Sequence, residues 1–166
     1  MDHQSVPITI VNHVSIDISC SPGRVWDAIL EDYLCARKFS EAGYAIERLD
    51  DPVYFRGGFR MRLEHDGAVV DERICCVTEL DKTARRLSMY AEYLTAPNEM
   101  KVHATYQAHR SWTGTKYSID SYASFHPARL TEDGETDISA AVAKMEAHFE
   151  AALVRYLQGI QKSLQS

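Results

Sequence analysis

The last thirty residues of the chain carry one stripe of apolar side chains at helical spacing. The stripe advances in steps of three or four residues with a mean of about 3.7, which suits a straight α-helix better than a coiled coil. No proline interrupts the run, and Thr136 or Asp137 can cap its first free amide groups. The pattern predicts one helix over residues 137–166, on the order of 40 Å long, which needs a broad apolar wall to cover its stripe. The stripe consists of Ile138, Val142, Met145, Phe149, Leu153, Tyr156, Ile160 and Leu164.

Most of the chain before this helix alternates between apolar and polar residues, as strands with one buried face do. Residues 6–19 form the first such run. Ser21 and Pro22 then supply an N-cap followed by proline at the first helical position, and Gly43 ends a second, shorter helical stretch over residues 33–42. The other predicted strands cover residues 44–49, 58–64, 69–78, 86–93, 100–112 and 115–125.

The short links between successive strands imply an antiparallel meander. The order of one strand, two short helices, six strands and a long helix predicts an α+β fold. In that fold a curved seven-stranded antiparallel sheet wraps around the C-terminal helix, so that every amphipathic surface is covered. At 166 residues we expect a single domain that spans residues 1–166.

Composition excludes several classes of partner. The chain has 18 Lys+Arg against 24 Asp+Glu and a net charge of −6, which disfavours nucleic acid and anionic membranes. It has no apolar span long enough to enter a bilayer and no signal-like start, so we expect a cytoplasmic protein. The four cysteines form no CxxC pair, and we expect them to be reduced, with no metal and no cofactor bound. We expect a monomer or a weak homodimer.

Four segments, taken in order with the terminal helix, carry a family resemblance: SPGRVWDAI at 21–29, GFRMRL at 58–63, VDERI at 70–74 and RLSMY at 86–90. They resemble the START and birch-pollen-allergen-like (SRPBCC) superfamily, in particular its polyketide cyclase/dehydrase-like branch. The resemblance covers nearly the whole chain. It implies a helix-grip fold with a hydrophobic pocket between the sheet and the long helix.

A pocket at that place also has a physical basis. A strongly curved sheet does not lie flush against a straight helix, so a gap remains unless large side chains fill it. Small inward residues leave space, and flexible methionines adapt to a ligand's shape. The alternative interpretation of the same stripes is a packed core. The predicted ligand-binding residues are Phe59, Met61, Glu72, Met89, Ala91, Val102, Ala104, Tyr106, Ile119, Ser121, Met145, Phe149, Leu153 and Tyr156.

The strand predicted over residues 69–78 carries a charge on its inner face in either register. If Ile74 faces inward, Glu72 does so too; if Cys75 faces inward, Asp71 and Arg73 follow it. The strongly apolar Ile74 favours the first register, which places Glu72 in the pocket. There it would be a polar anchor or, with a pKa raised by burial, a catalytic acid or base. The alternative is a residue at the pocket rim that pairs with Arg60 or Arg62.

The predicted function is to bind or carry a small hydrophobic ligand, such as a lipid, an aromatic or a polyketide-like molecule. One alternative is a polyketide aromatase/cyclase-type enzyme, a lyase that uses the same pocket without a metal or nucleotide cofactor. The other, implied by resemblance, is a protein-interaction module of the Hsp90-activator-like type, which the polar outer face of the predicted sheet argues against. Residues 65–67 and 94–99 are the predicted entrance loops.

Overall fold

The computed structural model describes residues 7–50, 56–95, 100–126 and 137–166, so residues 96–99 of one predicted entrance loop lie outside the described residues. The described elements begin with strand β1 (Ile8–Ile18), helix α1 (Pro22–Ile29), a π-helical turn (Leu30–Leu34) and helix α2 (Arg37–Glu41). Strands β2 (Ala45–Arg48), β3 (Gly58–His65), β4 (Ala68–Asp81), β5 (Arg86–Tyr93), β6 (Met100–Ser111) and β7 (Gly114–Phe125) follow, and helix α3 (Ile138–Gln165) ends the chain.

The seven strands form one sheet in the order β1-β7-β6-β5-β4-β3-β2, and all neighbours are antiparallel. Directly opposed residues share a face of the sheet, so the register aligns the inner residues of successive strands. Cys75 lies opposite both Phe59 and Ala91, and Ala91 lies opposite Val102. The predicted fold class, a helix-grip fold with a seven-stranded antiparallel sheet and a long C-terminal helix, is confirmed.

Strand β4 is longer than predicted and irregular at two places. Its pairing with β3 shifts between Leu63 and Glu64, and its pairing with β5 shifts between Val77 and Glu79. Such bulges bend a strand and increase its twist, which lets the sheet curl around the interior.

The second predicted helix is divided into two pieces. Ser21 caps α1 as expected, since its side chain accepts a hydrogen bond from the amide of Arg24. The π-helical turn then ends at Leu34, and Ala36 adopts a left-handed conformation with φ of 61° before α2 begins at Arg37. Ala36 is fully buried, so its small side chain suits this break. The break turns the residues on either side of it towards the sheet.

Helix α3 begins at the Asp137 cap, whose carboxylate accepts hydrogen bonds from the amides of Ser139 and Ala140. Most of its predicted stripe is only half-buried, and Leu157 is its one fully buried residue within 138–165. Two hydrogen bonds attach α3 to β1: the Asn12 amide donates to the carbonyl of Glu146, and the Gln161 amide donates to the carbonyl of Asp17. Helix α3 does not pack fully against the central strands, and a cleft remains between them.

Candidate functional site

The cleft lies between the inner face of the central strands and the middle of α3, and it has a volume of about 210 Å³. A smaller recess of about 80 Å³ adjoins it deeper under the sheet and shares several of its walls. The cleft is lined by Tyr33, Lys38, Phe39, Arg73, Tyr93, Met100, Val102, Ala104, Tyr106, Ser121, Ala123, Phe149, Ala152 and Leu153. Its walls are therefore aromatic and aliphatic, with two cationic side chains among them.

Nine of the fourteen predicted ligand-binding residues line the cleft or the recess. In the cleft these are Val102, Ala104, Tyr106, Ser121, Phe149 and Leu153, and in the recess they also include Phe59, Met89 and Ala91. The structure places five others elsewhere. Met61 and Ile119 are fully buried in the core, Met145 packs near Ile10 and Phe125, Tyr156 bonds to Asp32, and Glu72 lies on the outer face. That these nine residues contact a ligand stays a prediction.

The inward orientation predicted for Glu72 is wrong. Cys75 is buried on the inner face, which turns Glu72 to the opposite face of β4. There its carboxylate lies 3.2 Å from the guanidinium of Arg62 and 3.8 Å from that of Arg60. Ile74 misled the prediction because its apolar side chain is half-buried on the outer face. The catalytic role predicted for Glu72 depended on the inward orientation, which the structure does not have.

Arg73 takes the inward position on β4 instead. Its guanidinium binds the carboxylate of Asp71, with Nε 3.1 Å from Oδ1, and lies 4.0 Å from the centre of the Tyr93 ring. The Tyr44 hydroxyl donates to Asp71 at 2.6 Å, and burial with this bond raises the pKa of Tyr44 to about 12. The charge of Arg73 is thus balanced by its own neighbour two residues away.

Four tyrosines form a cluster beside the cleft, and two of them, Tyr33 and Tyr106, line it. The rings of Tyr33 and Tyr106 stack with centres 3.8 Å apart, and the Tyr156 ring meets Tyr33 edge-on at 5.8 Å. Tyr117 lies behind them, with its ring centre 6.3 Å from that of Tyr156. Burial raises the pKa of each of these hydroxyls well above its usual value. At neutral pH they are neutral groups that can donate hydrogen bonds.

Asp32 is a buried carboxylate next to this cluster, only 4% exposed. Its Oδ1 accepts hydrogen bonds from Arg37 at 2.8 and 3.1 Å, and its Oδ2 accepts one from the Tyr156 hydroxyl at 2.8 Å. The π-helical turn places Asp32 beneath α3, so this group joins the two helical parts of the molecule. Its charge is compensated on both oxygens, as a buried carboxylate requires.

Lys38 lies at the rim of the cluster, on α2. Its ammonium is 4.1 Å from the centre of the Tyr156 ring, 4.7 Å from that of Tyr33 and 5.5 Å from that of Phe39. It also donates a hydrogen bond to the Tyr33 hydroxyl at 3.1 Å. Burial lowers the pKa of Lys38 to about 8, although the charge of Asp32 opposes this shift. Lys38 is a cation held against ring faces.

Sequence reasoning missed several of these lining residues, for two reasons. Tyr93 and Ala123 each lie two positions beyond a predicted inner residue, Ala91 and Ser121, so the alternation of their strands could have found them. Tyr33, Lys38 and Phe39 had no such signal, because the break at Ala36 puts them on no regular helical face. Arg73 would have been predicted from the register with Cys75 inward, which was not the favoured one.

A wider opening of about 470 Å³ lies at the end of the sheet where β5, β6 and β7 meet Pro7. In the described ranges, no three His, Cys, Asp or Glu side chains are grouped to hold a metal ion. No helix among the described residues is long and apolar enough to cross a membrane.

Comparison with known proteins supports the fold. No family model and no curated protein sequence matches the chain. Among solved structures, it is similar to the di-domain ARO/CYC BexL from the BE-7585A biosynthetic pathway, with 16% identity and a TM-score of 0.62 over 95% of this chain and 50% of that one. It is also similar to the Zhui aromatase/cyclase from Streptomyces sp. R1128, with 16% identity and a TM-score of 0.57 over 95% and 93% of the two chains.

A third similar structure is Ara h 8.0201, with 13% identity and a TM-score of 0.54 over 86% of this chain and 97% of that one. The resemblance to the START and birch-pollen-allergen-like superfamily, with its polyketide cyclase-like branch, is thus confirmed as a likeness of fold.

Proposed function

We propose that the protein binds a small, largely apolar ligand in the cleft between the sheet and α3. The observation that carries the proposal is the cleft itself, because Val102, Ala104, Ala123 and Leu153 give it apolar walls that no side chain of the described chain fills. An open cleft with apolar walls is the usual form of a small-molecule site. The similar fold of Ara h 8.0201 and the two aromatase/cyclases supports this choice.

The dimensions of the cleft limit the ligand. Its volume of about 210 Å³ is below the roughly 300 Å³ at which drug-sized pockets begin. A molecule of one or two fused rings, or a short branched chain, suits this space better than a long lipid. The stacked rings of Tyr33 and Tyr106 in its wall favour a flat, aromatic partner.

A titration with 2-naphthamide, an uncharged two-ring amide, tests this function. We expect the methyl signals of Val102, Ala104 and Leu153 to shift in NMR spectra as the amide is added. Methyls on the outer face, such as those of Val11, should not shift, because Val11 is exposed there. Absence of shifts at the cleft methyls, together with native mass spectra that show no bound apolar molecule, would contradict the proposal.

A second candidate is an enzyme that uses the same cleft for acid–base chemistry on a ring-forming substrate. It is favoured by the buried hydroxyls of Tyr33 and Tyr106, which meet apolar walls and stay protonated at neutral pH. A Tyr106→Phe variant should then bind ligand with unchanged affinity and lose turnover of a poly-β-ketone. If the wild-type protein leaves such a compound unchanged in a product assay, this candidate is removed and binding alone remains.

A further inference from the structure

Lys38 is the one charged group of the cleft that lacks an ionic partner among the described residues. Its ammonium contacts three aromatic rings and one tyrosine hydroxyl, and no carboxylate of the described chain lies within ion-pair distance. Lysine is usually exposed, and its apolar stem rather than its ammonium is what proteins bury. A half-buried ammonium at the wall of an apolar cleft therefore needs an explanation.

The other charged side chains near the cleft have partners of their own, and Arg37 is bound by Glu31 as well as by Asp32. Asp32 bonds to Arg37 on one oxygen and to the Tyr156 hydroxyl on the other. Arg73 is held by Asp71. The charge of Asp32 favours protonated Lys38 from a distance, whereas that of Arg73 opposes it. Among the described residues, Lys38 is thus left without a directly bonded carboxylate.

We propose that the ligand of the cleft is a small organic acid, whose anionic group pairs with Lys38 while its apolar part lies against Val102, Ala104 and Leu153. The inference depends on the proposed binding function, and it names the chemical class of the ligand. A carboxylate is the group that suits this position, because it accepts charge-assisted hydrogen bonds from an ammonium. The Tyr33 hydroxyl, next to Lys38, can supply a further donor.

The electrostatics of the cleft strengthen this pairing. In a partly dry site, a charge pair interacts more strongly than it does at an exposed surface. The guanidinium of Arg73 also lines the cleft, but its charge is balanced by Asp71, so Lys38 is the cation that remains for a ligand. An uncharged ligand of equal shape makes the same apolar contacts, but it leaves Lys38 without a partner. The cleft should therefore discriminate between an acid and its amide.

The test compares 2-naphthoate with 2-naphthamide, which share one ring system and differ in charge, by isothermal titration calorimetry at pH 7. The wild-type protein should bind the acid at least tenfold more tightly than the amide. Lys38→Met should weaken naphthoate binding by about tenfold or more and change naphthamide binding by less than twofold. Lys38→Arg should retain the preference for naphthoate, because it keeps the charge.

The matched control is Lys144→Met, which removes a lysine from an exposed position of α3 outside the cleft and should leave both affinities unchanged. Equal binding of acid and amide by the wild type, or full retention of naphthoate affinity by Lys38→Met, overturns the inference and leaves the binding function standing. If neither compound binds the wild type, the binding function itself fails, and the inference fails with it.

Discussion

At the scale of single residues, the tyrosine cluster beside the cleft depends on hydrogen bonds between buried polar groups. The Tyr156 hydroxyl donates to Asp32 at 2.8 Å and lies 3.5 Å from the Tyr117 hydroxyl. A buried group that loses its partner costs more than an exposed one, because water does not replace the bond. Tyr156 was predicted to contact ligand, whereas the structure gives its hydroxyl this structural partner.

Replacing Tyr156 by Phe should therefore lower the free energy of unfolding by about 1–2 kcal/mol, measured by urea denaturation, because Asp32 loses a donor inside the protein. Tyr122→Phe is the control, since Tyr122 is 42% exposed on the outer face. It should change stability by less than about 0.5 kcal/mol. Equal effects of the two substitutions would show that the bond to Asp32 contributes nothing measurable.

The pKa of Lys38 gives a second prediction at this scale. The groups that face its ammonium are Tyr33, Phe39, Tyr156, Asp32 and Arg73. Burial lowers the pKa of Lys38 from 10.5 to about 8, so folding disfavours its charged form. Below pH 8 the Lys38 amine is charged in the folded and the unfolded protein, and the full free-energy cost of burying the charge lowers stability. Between pH 8 and 10.5 the folded protein releases the Lys38 proton while the unfolded protein keeps it. The free-energy cost of the buried charge therefore disappears over this range.

Lys38→Met should thus be more stable than the wild type at pH 7, by about 1–2 kcal/mol, after allowance for the ring contacts that the ammonium makes. Thermal unfolding should show this advantage shrinking as pH rises from 8 towards 10.5. An advantage that stays constant over this range would mean that the charge of Lys38 is not the cause.

Prediction from sequence at this scale was limited by one question: which face of strand β4 points into the interior. The alternation of β6 placed Val102, Ala104 and Tyr106 correctly on the inner face, because apolar and polar residues alternate regularly over residues 100–109. In β4 both faces carry apolar and charged residues, so Ile74 and Cys75 gave opposite answers. Only the pairing of Cys75 with Phe59 decides the register.

At the scale of elements, the β6–β7 hairpin is fitted closely against the end of β1. Gly114 begins β7 with φ of +135°, and a Cβ atom there would lie 2.6 Å from the carbonyl oxygen of Ile18 and 2.8 Å from that of Cys20. The Thr115 hydroxyl donates to the same Cys20 carbonyl at 2.8 Å. Glycine is required at this position for both its conformation and its size.

Gly114→Ala should therefore lower the free energy of unfolding by at least about 3 kcal/mol, because strain and a backbone clash add together. Gly67→Ala is the matched control in the β3–β4 turn, where φ is +78° and nothing lies within 4 Å of the added Cβ. It should cost only about 1 kcal/mol. Similar melting temperatures for the two variants would show that the hairpin moves away from β1 at little cost.

Most element boundaries could be predicted, because each element has a regular period and a clear end signal. Strand β5 has the bounds that were predicted, and α3 starts after its Asp137 cap. The division of residues 33–42 into a π-helical turn and α2 could not be predicted. It depends on the burial of Ala36 under other elements, which local sequence does not encode.

At the scale of the whole molecule, the position of α3 decides how much of the interior stays open. The stripe on α3 predicted the sheet as its wall, and the structure confirms the sheet and the helix together. The stripe did not predict that α3 would attach through Asn12 and Gln161 to β1 and leave a cleft beside the central strands. The gap between α3 and the central strands results from the curvature of the sheet, which depends on all seven strands.

The central claim is that a ligand occupies this cleft, and Ala152 permits the most direct test of it. Ala152 lines the cleft from α3 but is exposed, so a larger side chain there can block the cleft without disturbing the core. Ala151 is also exposed on the same helix and lies outside the cleft, which makes it a matched control.

The measurement is the affinity of Ala152→Phe and Ala151→Phe for 2-naphthamide, beside that of the wild-type protein, with equal melting temperatures as proof of intact folding. We predict that Ala152→Phe binds the amide at least tenfold more weakly and that Ala151→Phe binds it like the wild type. Wild-type affinity in the Ala152→Phe variant would contradict the claim that the ligand lies between the sheet and α3.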